Sequence, residues 1–134
     1  MTPRLIACTF WIWIIYPGVV LAQTLCPPRD LVPVVNPSAA EWTESIDHAD
    51  VTTYVLDIVR ASDDMVIQTL DLGLGTPIAD TPGDREASIN VQPIAFGEYC
   101  AVMRAEASAL ESVDSLPSNT WVREPGGPSG LRVR

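Results

Sequence analysis

The sequence predicts an all-β domain, a two-sheet antiparallel sandwich of about seven strands, and three observations carry that prediction. Short runs rich in β-branched and aromatic residues recur about every ten residues, separated by clusters of glycine, proline, asparagine and aspartate. Several runs alternate apolar and polar residues at period two, the spacing of a strand with one buried face. The best helix-forming stretch, residues 104–113, lacks a wide apolar stripe and continues a strand pattern, leaving room for one helical turn at most.

Residues 31–35, Leu-Val-Pro-Val-Val, open the series, and Pro33 restricts them to a sheet edge because proline cannot donate to a ladder. Residues 38–43 alternate, with Ser38, Ala40 and Trp42 inward and Glu41 outward. Residues 45–50 form a polar turn. Residues 52–60 set Tyr54, Leu56 and Ile58 against Val55, Asp57 and Val59. A tight turn at 61–64 leads to a returning hairpin strand over 65–72. Residues 73–86, dense in glycine, proline and aspartate, read as a mobile loop. Strand character resumes over 87–94, turns at 95–98, and becomes cleanest over 99–106. There Tyr99, Ala101, Met103 and Ala105 point inward, and Cys100, Val102, Arg104 and Glu106 point outward. Residues 111–121 form a weaker last strand with Pro117 inside it, and Trp121 reads as closing the core.

The first 22 residues differ from the rest: Arg4, an apolar block from Leu5 to Tyr16, a Pro17-Gly18 break, and the exit Val19-Val20-Leu21-Ala22. A charged start, an apolar centre and small exit residues make a secretory signal cleaved after Ala22. The whole stretch from Leu5 to Ala22 is also about as long as the shortest membrane-spanning helices, about 17–18 residues. Pro17-Gly18 and Ala22 favour cleavage over an uncleaved anchor. Domain organisation is then a signal over 1–22, the sandwich over 23–122 and a Pro/Gly-rich tail over 123–134. One modest core fits such a length.

Net charge is −9 and every basic residue is arginine. An acidic surface repels phosphate backbones, which excludes nucleic acid and disfavours anionic membrane as partners. With Cys8 in the signal, Cys26 and Cys100 are the mature cysteines. In an oxidising compartment two cysteines read as one intramolecular disulfide, with an intermolecular bond or two free thiols as alternatives.

These landmarks together resemble a fibronectin type III module, an immunoglobulin-like sandwich. The matching residues are Pro27-Pro28 with Leu31, Trp42 on the second strand, Tyr54 with Leu56 on the third, Tyr99 with Ala101, Met103 and Ala105 on the sixth, and Ser118 in the last. The resemblance implies a Tyr99 hydroxyl bonded back to the backbone at the preceding corner. Two features depart from the family. Ile94 stands five residues before the tyrosine, where the family usually has leucine six before, and the family commonly lacks disulfides.

Catalytic patterns are absent: no nucleophile elbow, phosphate-binding loop or dinucleotide glycine motif occurs, so no catalytic, cofactor or metal residue is assigned. His48, the one histidine, lies among Glu44, Asp47 and Asp50 and reads as part of a solvated acidic turn, since zinc needs more His or Cys ligands. Asp47, Asp50, Asp63 and Asp64 are the only calcium candidates, and they lack the spaced Asp-x-Asp-x-Asp pattern. By resemblance, the expectation is an exported non-catalytic module that binds or spaces protein or glycan partners, without cofactor, as a monomer or weak homo-oligomer. Residues 73–86 are its foremost recognition loop. The alternative is a cell-envelope or fibre subunit assembled by strand addition through the Leu131-Arg-Val-Arg134 tail.

Overall fold

The computed structural model describes residues 25–108, 110–112 and 114–134; the expected export signal over 1–22, with Cys8, lies outside the described residues. The alternating and β-branched runs become β1 (Ala39–Thr43), β2 (Thr53–Arg60), β3 (Val66–Asp71), β4 (Thr76–Pro77), β5 (Asp84–Ser88), β6 (Gly97–Ala107), β7 (Leu110–Glu111) and β8 (Trp121–Arg123). They form two antiparallel sheets, β1-β5-β4 and β3-β2-β6-β7, with β8 also pairing β6. The arrangement is a β-sandwich compatible with the immunoglobulin-like class. Among the described residues the only helical element is a single 3-10 turn, His48–Asp50.

Period-two patterning sets the core. Leu56, Ile58, Tyr99 and Trp121 point between the sheets and are buried with Val91 and Ile94. Tyr54 is 3 % exposed, and its ring lies 5.3 Å from that of the partly buried Trp42. The Tyr99 ring packs 5.1 Å from Trp121, and its hydroxyl donates to the Ala95 carbonyl at 2.7 Å, tying the corner before β6 to the strand it opens. A β-bulge shapes β3: pairing passes from Ile58↔Gln68 to Val59↔Val66, so Ile67 is the extra residue and turns onto the core.

The second face of β2 and β6 is buried as well. Cys100 does point away from the inter-sheet core, as its register requires, yet it is not solvent-facing as an outward position implies. It is fully buried with Cys26, Val59 and Val102, because the chain preceding β1 crosses that face. Cys26 is disulfide-bonded to Cys100 with a Cα–Cα separation of 5.5 Å, and the Leu25 N–H donates to Asp64 Oδ1 at 2.9 Å.

Four strand expectations are corrected. The segment 73–86 is not a loop throughout, since it holds β4 and the start of β5. The strand expected at 87–94 runs instead over Asp84–Ser88; its charged residues hide it, because none of its side chains is fully buried and Arg85 spends its charge on Glu44 and on backbone carbonyls. Val91 and Ile94 are buried in the following turn, where the Ile94 N–H donates to the Val91 carbonyl at 3.0 Å. Residues 31–35 form no strand beyond an isolated parallel bridge from Val35 to Val122, and Leu31 and Val32 are exposed. Residue 112 and residues 114–120 are likewise outside any strand, because serine hydroxyls take the place of a regular ladder along β6.

The disulfide closes 74 residues of sequence separation. Reduction should therefore lower unfolding free energy by about 4 kcal/mol on the chain-entropy model, read as a fall in the urea midpoint. An unchanged midpoint after complete reduction would contradict this role.

Candidate functional site

Strand β1 is the edge of its sheet. The Ile89 N–H donates to the Ser38 carbonyl at 3.0 Å and the Glu44 N–H to the Gly83 carbonyl at 2.8 Å, so with the observed register the even-numbered residues of β1 bond to β5. The N–H and C=O groups of Ala39, Glu41 and Thr43 consequently point the other way, and among the described residues no strand pairs with them. The chain that could have covered this edge, residues 31–36, is held elsewhere. The Val122 N–H donates to the Val34 carbonyl at 2.9 Å and the Asn36 N–H to the Val122 carbonyl at 2.8 Å.

Opposite the open edge lies a second irregularity. Ser112, Ser115 and Ser118 each donate their N–H, at 2.8 Å, to Ala105, Met103 and Ala101 of β6 respectively. Their hydroxyls accept the N–H groups of the same three residues at 2.8, 3.0 and 2.9 Å. Three residues of the serine segment thus advance along every two of β6, so the segment bows between contacts and leaves Leu116 exposed. The hydroxyls replace carbonyls a regular strand would supply, and Pro117 fits because no ladder donor is needed from it.

Between β1 and the serine segment the sandwich stays unsealed. An open groove of ≈ 1060 Å³ runs there, its floor made by Ala40, Trp42, Leu56, Ile58, Met103 and Trp121. The indole Nε1 of Trp42 is buried with no hydrogen-bond partner. Leu56, Ile58 and Trp121 lie buried at the bottom of this gap, and the partly buried Ala40, Trp42 and Met103 line it beside the unpaired backbone donors and acceptors of β1.

One end of the groove is stiffened by polar contacts. The Tyr54 hydroxyl accepts the Ser45 N–H at 3.0 Å and lies 2.8 Å from His48 Nδ1. The His48 Nε2 lies 3.7 Å from Glu44, whose carboxylate also accepts Arg85 Nη1 at 3.2 Å. Arg85 donates to the carbonyls of Leu74 and Gly75 too. Gly75, at φ +65°, lies so close under Trp42 that a Cβ there would fall 2.5 Å from the indole ring. His48 is thus more than part of a solvated turn: it positions Tyr54, which in turn packs on Trp42.

The four aspartates considered for calcium are not brought together. Asp47 and Asp50 precede β2 and Asp63 and Asp64 follow it. Asp63 accepts two hydrogen bonds from Arg60, at 2.9 and 2.6 Å, and Asp64 accepts the Leu25 N–H. Among the described residues no group of three or more His, Cys, Asp or Glu could hold a metal, and no helix is long and apolar enough to cross a membrane. Trp42, Tyr54 and Tyr99 all face the space between the sheets, with Trp42 at the groove, whereas Cys26 and Cys100 lie on the opposite face of β6. The groove itself escaped sequence reading, although the serine spacing 112, 115, 118 was its one visible signal.

Two predictions follow from these contacts. Ser115→Ala removes the acceptor of the Met103 N–H, so stability should fall by about 1 kcal/mol and the Met103 amide should exchange faster; unchanged exchange would refute the hydroxyl ladder. Asp63 is held below the usual carboxylate range by its hydrogen bonds from Arg60, and Asp71 by the Thr53 hydroxyl and the Gly73 N–H. Because the unfolded chain binds these protons more readily, the stability they contribute is present above about pH 4 and lost as pH falls through the folded values. Acid unfolding of Asp71→Asn should accordingly be less steep than that of the parent; equal slopes would contradict the assignment. The chain matches no protein-family model, no curated protein and no solved structure.

Proposed function

We propose that this chain is an exported, non-catalytic binding module of fibronectin type III-like type that takes protein partners in extended conformation along the edge of β1. The observation that carries the reading is the coincidence of three unpaired backbone positions, Ala39, Glu41 and Thr43, with an open apolar groove beneath them. Backbone pairing supplies affinity in strand addition, and alternate side chains entering a groove supply selectivity. The apolar floor favours peptide over glycan. The β1 edge is preferred to the 73–86 segment as the recognition surface, because part of that segment is taken into β4 and the start of β5.

The Tyr99 corner, the Trp42 and Tyr54 positions and the two-sheet arrangement support the fibronectin type III-like assignment. The Cys26–Cys100 bond supports an extracytoplasmic location, where such bonds persist. A non-catalytic role is supported by the setting of His48, whose ring nitrogens face a buried tyrosine and Glu44 rather than a nucleophile.

Selection of displayed peptides against the domain tests this function. Binders should alternate apolar and polar residues, and Glu41→Pro, which removes one outward N–H while sparing the β5 ladder, should weaken them by about tenfold or more. Ligands indifferent to Glu41→Pro would overturn the assignment of the site.

A further inference from the structure

We infer that the strand accepted by β1 is residues 131–134 of a second copy of this chain, which rests on the reading of that edge as a strand acceptor. Three features of the segment argue for it. Leu131-Arg132-Val133-Arg134 alternates apolar and basic residues at strand period. It takes up no secondary structure, and Leu131 and Val133 are exposed at 86 % and 93 %. It follows residues 124–130, Glu-Pro-Gly-Gly-Pro-Ser-Gly, a reach of roughly 20 Å when extended, so it can leave its own domain.

The acceptor is complementary in pattern and charge. On β1, Ala40 and Trp42 face the groove while Glu41 faces solvent. Glu41 stands directly opposite Glu86 on β5, a like-charge pair, and Arg85, the neighbouring cation, is committed to Glu44. A tail strand with Leu131 and Val133 directed into the groove puts Arg132 on the same solvent face as Glu41, whether it runs parallel or antiparallel, because side-chain faces alternate with period two, and the register that pairs it with Glu41 sets opposite charges side by side. Its backbone meets the free groups of Ala39, Glu41 and Thr43. Residues 31–35 are the weaker donor, since Pro33 lacks an N–H and Val34 is already bonded to β8. Because donor and acceptor are different surfaces, each copy offers both, and the contact propagates head to tail rather than closing a two-fold dimer.

Sedimentation equilibrium on the mature full-length chain tests the inference. The parent should self-associate with rising concentration. Arg132→Glu, in an exposed segment that cannot disturb the fold, should weaken association by about tenfold, and adding Glu41→Arg should restore it. A parent that stays monomeric to about 1 mM, including by inserting its own tail, overturns the inference, as does association indifferent to Arg132→Glu. If displayed peptides still bind in a Glu41→Pro-sensitive way, that failure concerns the choice of occupant alone; if they do not, the acceptor site itself is lost.

Discussion

The ladder between β2 and β6 is the constraint on which the remaining structure depends. Eight residues of β2 pair in unbroken register with β6, from Thr53↔Glu106 to Arg60↔Tyr99. Both faces of this ribbon are buried, one by the opposing sheet and one by the disulfide-tethered segment before β1. A two-stranded ribbon is marginal alone, and burial on both sides is what makes this one stable. Tyr99, locked by its hydroxyl at the corner, then fixes where β6 begins, and Trp42 and Tyr54 follow from that register.

The same constraint explains why the sandwich is open on one side. Drawing the chain before β1 across the outer face of β6 places Cys26 at Cys100 and leaves residues 34–36 bonded to Val122. That chain is thereby unavailable to pair with β1. On the other margin, the serine ladder satisfies β6 with hydroxyls and holds its segment clear of the gap. The groove is the combined result of two well-satisfied hydrogen-bond arrangements, rather than of missing contacts.

Much of the core was legible because it obeys period two: Trp42, Tyr54, Leu56, Ile58 and Tyr99 point where alternation directs them. The rest was hidden for specific reasons. The charged strand Asp84–Ser88 is at most partly buried and turns Arg85 onto carbonyls, so its composition resembles a loop. Residues 111–121 have apolar residues and the length of a strand, yet their pairing has a three-to-two period that no alternation test detects. His48 reads as a surface residue because its partners, Tyr54 and Glu44, lie on either side of a turn whose shape is set by the sheets. Cys100 was legible in direction but not in burial, since burial depends on the path of a distant segment.

Strand β1 is bonded along one side to β5 and unpaired along the other. Residue-resolved amide hydrogen exchange on dilute protein measures this directly. Exchange should alternate, slow at Ala40 and Trp42 and fast at Ala39, Glu41 and Thr43. Uniform protection along the five residues would contradict it.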